Sequence, residues 1–543
     1  MENNTLLKRD VIITQDFVDA VEAQIDIPYG VLDGDITSSA KSAFFNELNE
    51  IKTYYSIYKQ GATFLTEGSN SDYVPSQVRY KKAKSLIDKE ARFMFSKAMD
   101  IAVNQNAVGD TQAEQTNSTI LNDFVQAVLK KNFFNRNLTR AGKDCFIGKR
   151  VACVLNFSPD TGIEVAFVNP MEFYYEFDGN DVLSKLIVFF TAVESTNKAE
   201  QRIRKKVYWM EDNVCHVSET MYDGAGRELE VLSQDIKTLF NYIPAVIIFN
   251  DGLSNDIHGE SEIAAVMEYE QTYSKLANAD IDSERKGMNC IRYIIDGSPE
   301  STVNLSSAPG ALWDIQSDQN GASDKTATIG TLEPSMSYSA PLKTTLDRID
   351  NVMHAQLEIP NINSEQLQGV ITSGKTLKAL YWGLIVRCDE KALTWGPAIE
   401  FVVRTIIEGA KLYPEVVQYY SNSNIPDTEY EVTVINNYAL PEDEAEEKTI
   451  NLAEVQAQTM SRKYYMKYWR KLTDAEADAE LEQIAKERSL LEDSFMMPPT
   501  DVEKEEEGNE GVSNAQTDSQ PKEPTTPDTQ GTEEGVNSVA SGA

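Results

Sequence analysis

The sequence predicts an α+β protein, because helical and strand periodicities occupy separate stretches of the chain. Apolar residues recur every three or four positions before residue 148 and again after residue 259, which is the spacing of one buried helix face. Between residues 149 and 250 the period changes to two, and turn signals separate the apolar runs. Strands that follow one another, rather than alternate with helices, are typical of α+β folds.

The chain has 543 residues and a formal net charge of −36. Residues 501–543 carry 11 acidic and 2 basic residues, so most of the acidity belongs to the rest of the chain. A chain this acidic is not expected to bind nucleic acid tightly through counterion release, which needs many Lys and Arg on phosphates. Two interpretations stay open: a surface that faces DNA without holding it, or a charge that serves only solubility.

The cysteines and histidines do not form a metal-binding pattern. Five cysteines lie far apart without a C-x-x-C pair, and three histidines are equally scattered. His216 follows Cys215 directly, but no second pair of ligands is near, so we expect no metal and no cofactor. A reducing cytoplasmic environment fits this cysteine usage. The first residues do not resemble a signal peptide, and no apolar run reaches the length that spans a bilayer.

The first 145 residues are predicted to be mostly helical. Helical spacing marks the ranges 39–58, 79–95, 120–131 and 138–147. The basic residues of the second range are expected to form a solvated face opposite Leu86, Ile87 and Phe93 rather than phosphate contacts. From Lys149 onward, an antiparallel meander is predicted. Its strands are expected at residues 151–155, 163–167, 173–177, 186–192 and 206–210, with a last one near 242–250.

Two helices with an insert between them follow the meander. The first is predicted over residues 259–287, and the second begins near Pro341, a residue suited to a first helical turn. Residues 288–335 between them show short strand and turn patterns. The two helices, of about 28 and 17 residues, are expected to lie antiparallel with the insert at their far end.

A loop at residues 358–374 leads into the longest helical pattern of the chain. Apolar residues from Leu377 to Ile406 recur in steps of three and four, which predicts a helix over residues 375–411. Pro397 lies in its middle, where it has no N–H to donate and clashes with the preceding turn. We therefore predict a kink near Pro397.

The C-terminal part is predicted to hold a strand pair and an acidic helical region with three helices. The strand pair is expected around residues 416–420 and 430–436, and the helical region begins at Pro441. Thr473-Asp-Ala-Glu476 has the pattern of a capping box. Residues 496–543 have almost no large apolar side chains, so an acidic, disordered tail is predicted there.

The loop also contains a nucleotide-binding pattern, because residues 369–376 read Gly-Val-Ile-Thr-Ser-Gly-Lys-Thr, or G-x-x-x-x-G-K-T. A P-loop follows a buried strand, so that its amides and the helix N-terminus converge on phosphates. The preceding residues are not strand-like, and no apolar strand that ends in Asp follows to hold Mg²⁺. A P-loop NTPase therefore stays as the alternative, and an enzyme is not expected.

The chain resembles the portal proteins of tailed bacteriophages, in the group typified by siphophages of Gram-positive hosts. Three segments and the order of elements carry the resemblance: residues 80–96, residues 243–250, and Ser373-Gly-Lys-Thr-Leu-Lys-Ala-Leu-Tyr-Trp382 at the start of the long helix. The resemblance implies a portal fold with a wing, a stem, a clip and a crown. It assigns 1–256 to the N-terminal wing, 257–287 and 336–357 to the stem helices, 288–335 to the clip, 358–374 to a tunnel loop, 375–440 to the wing helix and strands, 441–495 to the crown and 496–543 to the tail.

The same resemblance implies a structural, non-enzymatic function. Portal proteins form a ring, usually a dodecamer, around a DNA channel at one capsid vertex. That ring serves genome packaging, retention and ejection. The implied partners are the terminase and then head-completion (head-tail connector) proteins at the clip, and the major capsid and scaffolding proteins at the wing. The implied location is the virion, with the host cytoplasm during assembly and no membrane. A capsid scaffold or adaptor without a channel stays as a second alternative.

The resemblance also assigns roles to individual residues. The tunnel loop offers neutral polar side chains that can touch DNA without holding it: Asn361, Asn363, Ser364, Gln366 and Gln368. Gly369 and Gly374 are expected to act as the hinges of this loop. Stem cations either face the channel or form surface salt bridges, and both interpretations stay open: Lys275, Arg285, Lys286, Lys343 and Arg348.

Overall fold

The computed structural model describes residues 27–63, 74–105, 112–193, 198–253, 256–288, 291–303, 305, 313–318, 326–332, 337–362, 378–420, 425–427, 429–438, 444–470 and 472–495. The chain divides into two compact units, one that ends at Asp443 and one that begins at Glu444. Helices and strands are both abundant in the larger unit, so the predicted α+β class is correct.

The N-terminal helices are α1 (Ser38–Gln60), α2 (Lys82–Phe95), α3 (Gln112–Lys131) and α4 (Phe134–Gly148). The Thr37 side chain accepts a hydrogen bond from the Ala40 N–H and caps α1. A short 3₁₀ turn, Tyr29–Leu32, precedes them. All four predicted helices are present, and their buried faces share one hydrophobic core with the long helix described below.

The meander forms two antiparallel sheets. Strands β2 (Arg150–Ser158), β3 (Gly162–Val168) and β9 (Ala245–Phe249) make a sheet in the order β3-β2-β9. Strands β4 (Phe173–Phe177), β5 (Leu183–Val193), β6 (Arg202–Glu211), β7 (Val214–Asp223) and β8 (Glu228–Lys237) make a second sheet in chain order. The local pairing was predicted, whereas β7 and β8 were not.

Of the two strands predicted near the C-terminal end of the larger unit, one is present and the other is wrong. Residues Tyr430–Ile435 form β12. This strand pairs antiparallel with β1 (Asp100–Gln105), and Asp100 lies opposite Ile435. Residues expected as the other strand form a short helix α9 (Pro414–Val417) and a 3₁₀ turn, Gln418–Tyr420. Pro414 occupies the first helical turn, where its missing N–H costs nothing.

Two helices joined by a small strand insert form the predicted hairpin. They are α5 (Glu262–Met288) and α7 (Ser339–Gln356), and they pack against each other. The insert contains β10 (Ile291–Ile295), the short helix α6 (Pro299–Thr302) and β11 (Thr328–Leu332). Strands β10 and β11 pair antiparallel, with Ile291 opposite Leu332.

The long helix α8 spans Trp382–Leu412, and residues 378–380 are also helical. The helix continues through Pro397 without interruption, and the kink there stays a prediction. The residue before a proline is normally pushed out of the helical region by its own Cβ. Residue 396 is a glycine, so the Cβ part of that clash is absent here.

The smaller unit contains α10 (Glu444–Gln456), α11 (Arg462–Arg470) and α12 (Asp474–Phe495). The predicted capping box is present at α12. The Glu476 carboxylate accepts from the Thr473 N–H at 2.9 Å, and the Glu476 N–H donates to Thr473 Oγ1 at 3.4 Å. Residues 496–543, the predicted tail, lie outside the described residues.

Candidate functional site

A buried cluster of charges holds the start of α5 against the N-terminal third of α8. We call it the ion cluster and define it by Glu90 on α2, Glu262 on α5, and Arg387 and Lys391 on α8. Arg387 donates to Glu90 at 3.0 Å and to Glu262 at 3.0 Å. Lys391 donates to Glu262, and its Nζ lies 3.2 Å from Glu90 Oε1. Three helices that are far apart in sequence therefore meet through four side chains.

Two residues before α5 extend the ion cluster. Lys391 Nζ donates to Asn250 Oδ1 at 2.8 Å, and the Asn250 amide donates to the Glu260 carbonyl at 2.8 Å. The Asp251 carboxylate lies 3.6 Å from Arg387 Nη2 and is only partly buried. The segment between β9 and α5 is thus fixed to α8 before the hairpin begins.

The pKa values in the ion cluster diverge because two carboxyls share one buried site. Burial and the nearby Glu262 raise the pKa of Glu90 to about 8. Burial acts in the same direction on Glu262, but Lys391 and Arg387 outweigh it and lower the pKa of Glu262 to about 2. A proton on Glu90 can then be shared with Glu262 by a hydrogen bond. Glu262 is therefore the buried carboxylate that faces Lys391 and Arg387 as an anion, and the partly exposed Asp251 adds a negative charge at the edge of the cluster.

This arrangement suits a rigid joint rather than a reaction centre. Glu90, Glu262 and Lys391 are almost fully buried, which leaves no room for a substrate beside them. Nearby Cys145 and Cys388 are also buried, and burial raises the pKa of both thiols, so neither is a ready nucleophile. The ion cluster therefore ties the first turn of α5 to α2 and α8.

The root of the 358–374 loop is held by the C-terminal end of α7. The Asn361 side chain donates to Asn351 Oδ1 at 2.9 Å and to Asp350 Oδ2 at 3.3 Å. Lys82 on α2 donates to the other oxygen of Asp350 at 2.8 Å. Glu358 has a positive φ of 53°, and Leu357 and Ile359 on either side are buried. The chain thus leaves α7 through a sharply turned and anchored segment.

Only one of the five expected DNA-facing residues lies within the described part of the chain. Asn361 is half-buried and tied to α7, so it belongs to the root of the loop. Residues 363–377 lie outside the described residues. They include Asn363, Ser364, Gln366, Gln368, Gly369, Gly374 and the whole G-x-x-x-x-G-K-T match. Their expected roles therefore stay predictions.

The expected stem cations differ in what surrounds them. Arg285 donates to the Val74 carbonyl and to Ser76 Oγ, and it lies 3.6 Å from Asp282. Its contacts favour the salt-bridge interpretation. Lys275 on α5, and Lys343 and Arg348 on α7, are exposed. Lys286 lies in α5, but its side chain is not described.

The sequence interpretation missed the ion cluster, although a signal was present. On α8 the buried face includes Leu384, Cys388, Lys391 and Trp395. Lys391 lies three residues after Cys388 and four before Trp395, so it falls on the apolar stripe. A charged residue in such a stripe needs a buried partner. The partners Glu90 and Glu262 are too distant in sequence to be identified from the pattern.

The segment before the P-loop match does not have the architecture of a nucleotide site. Residues 339–356 are helical, and residues 357–362 form a turn and an irregular stretch. A P-loop instead follows a buried strand. Within the described ranges, no group of three His, Cys, Asp or Glu side chains is arranged to hold a metal ion. None of the helices described is long and apolar enough to cross a membrane.

Comparison with known proteins defines the class of the chain. The model of the family described as phage portal protein, SPP1 Gp6-like, matches residues 39–490. The match spans most of the 543 residues, which identifies a phage portal protein. More particularly, the chain belongs to the SPP1 Gp6-like portal family, which confirms the resemblance to phage portal proteins.

Solved structures that are similar to the chain come from gene transfer agent (GTA) particles. A chain from the neck of an empty GTA particle, computed with C6 symmetry, has 10% identity and a TM-score of 0.33, with 71% of this chain and 87% of that chain covered. A chain from the neck of a native GTA particle, computed with C12 symmetry, has 11% identity and a TM-score of 0.33, with coverage of 71% and 89%. No curated protein matches in a sequence comparison.

Proposed function

We propose that this chain forms the ring-shaped DNA channel at the unique vertex of a phage capsid. In this function it guides the genome during packaging, retains it, and releases it at ejection. Membership of the SPP1 Gp6-like portal family over residues 39–490 is the observation that carries the proposal. The helical hairpin with its strand insert, and the loop that leads into α8, have the order that such a channel subunit requires.

The portal regions follow from this function. Residues 1–256 and 375–440 form the wing, residues 257–287 and 336–357 the stem, and residues 288–335 the clip. Residues 441–495 form the crown, 358–374 the tunnel loop, and 496–543 an acidic tail. The ion cluster lies at the junction of stem and wing in this assignment, because Glu262 is in α5 and Lys391 in α8. It would hold each stem helix at a fixed angle to the wing while DNA moves.

The charge of the chain supports sliding rather than binding of DNA. A net charge of −36 opposes the counterion release that makes protein–DNA complexes tight. The neutral side chains expected in the tunnel loop would touch the phosphate backbone without holding it. Among the stem cations, Lys275, Lys343 and Arg348 are exposed and are the ones proposed to face the channel.

Each proposed partner is assigned to one of the portal regions. The clip would receive the terminase motor during packaging and a head-completion protein afterwards. The wing would contact major capsid and scaffolding proteins. The ring itself would be a homo-oligomer, most simply a dodecamer, that assembles in the host cytoplasm and resides in the virion.

Negative-stain imaging of the purified full-length protein tests the proposal. Rings with a central hole are the expected result. Monomers or filaments under conditions that preserve the fold would contradict the channel and favour a scaffold or adaptor. A nucleotide-binding measurement tests the NTPase alternative, with Lys375→Ala as the variant. Binding of ATP by the wild type that is lost in this variant would contradict the proposed function.

A further inference from the structure

Two exposed surfaces of the larger unit have complementary charge and apolar character. The first, which we call the basic hollow, lies where α3 ends and α4 begins. It is a cavity of about 340 Å³. Its lining includes Ile101, Leu129, Lys130, Phe133 and Arg136. The second, the acidic edge, is strand β8.

The basic hollow combines an exposed aromatic ring with cations. The Phe133 side chain is 61% exposed, and its backbone has a φ of 49°, a left-handed conformation that is rare for a bulky residue. The Arg136 guanidinium lies 4.5 Å from the Phe133 ring centre. None of the ion pairs found among the described residues includes Lys130, Arg136 or Arg140. In a chain of net charge −36, this is a local excess of positive charge.

The acidic edge is the outermost strand of the five-stranded sheet. Nearly every residue of β8 is exposed. Four large apolar side chains on it are each more than 40% exposed: Leu229, Val231, Leu232 and Ile236. Glu228 and Glu230 alternate with them and are exposed as well. Long apolar edge strands are templates for association, and native proteins usually cover or charge them.

We propose that the acidic edge of one copy packs against the basic hollow of the next copy in the ring. Glu228 and Glu230 would face Lys130 and Arg136, and an apolar side chain of β8 would enter the hollow beside Phe133. This inference rests on the proposed ring, and it names the surfaces by which copies join.

An intermolecular contact follows from where the two surfaces lie. α3 packs against β1, β3, α4 and α8, none of which belongs to the five-stranded sheet. Two different patches that complement each other form a heterologous interface, and such an interface closes into a ring when its rotation allows. An apolar hollow also favours a protein segment over a phosphodiester chain, because phosphates need cations and polar donors but no apolar cavity.

A charge exchange tests the contact in the full chain. Lys130→Glu with Arg136→Glu is one variant, Glu228→Lys with Glu230→Lys is the second, and the third combines all four changes. We expect each of the first two to lower the fraction of ring particles in negative stain at least tenfold, and the third to restore it. Melting temperatures within a few degrees of the wild type would verify that each variant folds.

The outcomes separate this inference from the proposed function. Rings in all three variants would overturn the inference and leave the channel proposal intact, whereas absence of rings in the wild type would overturn the channel proposal itself. Loss of rings in all three variants would also overturn the inference, because the two patches would then not face each other. The control is Lys448→Glu with Arg488→Glu, two exposed cations in the smaller unit. Loss of rings in this control would mean that net charge governs assembly, and would overturn the inference.

A second variant tests the apolar part of the contact. Phe133→Asn removes the exposed ring but keeps a residue type that tolerates the left-handed backbone. We expect unchanged or higher thermal stability of the subunit together with at least a tenfold loss of ring particles. Normal ring formation by this variant would overturn the role of the hollow.

Discussion

Lys391 Nζ lies 3.2 Å from Glu90 Oε1, and the two side chains are 2% and 0% exposed. A buried cation of this kind is tolerated only when its partners remain, because water cannot replace them. Glu262 is the second partner, at the first turn of α5, where a carboxylate also interacts favourably with the helix dipole. The stability of the larger unit and the direction of α5 are therefore linked through Lys391.

Replacement of Lys391 by Met is expected to destabilise the protein strongly. The change keeps most of the unbranched apolar chain but removes the charge, and it leaves Glu262 with Arg387 as its remaining cation. Loss of one member of a buried ion pair costs about 3–5 kcal/mol in the free energy of unfolding. Urea unfolding of the wild type and of Lys391→Met measures the difference.

A matched control on the same helix is Arg404→Met. Arg404 pairs with Glu400 at 2.6 Å on the surface of α8, and both side chains are more than a third exposed. Exposed pairs contribute at most about 1 kcal/mol, so a small change is expected. The double variant Lys391→Met with Glu262→Gln should lose less free energy of unfolding than the two single variants lose together. Equal effects of Lys391→Met and Arg404→Met would contradict the role of the ion cluster.

Thermal stability is expected to fall between pH 5 and pH 8. Burial raises the pKa of Glu270 to about 7, and burial together with Asp144 raises the pKa of Glu172 to about 7. The pKa of Glu90 is raised as well. Below pH 4.5 these carboxyls hold a proton in both the folded and the unfolded chain. As the pH rises through 4.5 towards the folded pKa, only the unfolded chain releases its proton, so the free energy of unfolding decreases.

Glu270→Gln isolates one part of this pH dependence. Glu270 is buried and accepts a hydrogen bond from the Ala83 N–H at 2.7 Å, which a Gln carbonyl can also accept. The variant should match the wild type near pH 4 and exceed it at pH 8 by up to about 3 kcal/mol, from 1.36 kcal/mol for each pKa unit. Melting curves at both pH values measure this. The exposed Glu268→Gln on the same helix is the control, and a variant of Glu270 with the wild-type pH profile would refute the argument.

Gly409→Ala is expected to destabilise the contact between α8 and the three-stranded sheet. A Cβ at residue 409 would overlap the Phe157 ring on β2, which also stacks on Tyr413. Overpacking of this kind costs about 1–3 kcal/mol. The control is Gly383→Ala on the same helix, where the nearest neighbour, Glu358, would lie at an ordinary 3.5 Å. That change should be neutral or stabilise by up to about 1 kcal/mol, from helix propensity. Similar melting temperatures for both variants would contradict the close packing at Phe157.

Local patterns predicted most of the helices and much of the meander, because each depends on the period of apolar residues. The strand pairing of β1 with β12 was not predictable, since Asp100 and Ile435 are far apart in sequence and both strands are short. The stretch 416–420 was mistaken for a strand because Val and Tyr favour strands. Pro414 and the packing of Val416 and Val417 in the core determine a helical turn there instead.

The site was less predictable than the fold. The ion cluster depends on Glu90, Glu262 and Lys391 meeting across three helices, and no local pattern encodes that meeting. β8 lacks the clean alternation of a half-buried strand because both of its faces are exposed, and its pairing with β7 is interrupted by register shifts. The loop and its role came from resemblance to a family, because no local pattern distinguishes a tunnel loop from other polar loops.

Shortening of the loop across residues 361–371 is expected to leave rings intact but to impair packaging or retention of DNA. The root of the loop is fixed by Leu357 and Ile359, which are buried and remain in the variant, so the helices α7 and α8 should keep their packing. In the proposed function this polar segment touches the DNA backbone, so its loss would remove a contact that keeps the genome in place. The measurement is the DNA content of assembled particles, together with ring images of the purified variant.

Asn361→Ala is the matched control, since it removes only the contacts to Asp350 and Asn351 at the root. Particles of the shortened variant that hold a full genome would refute the tunnel-loop role, whereas loss of rings would place the segment in assembly instead.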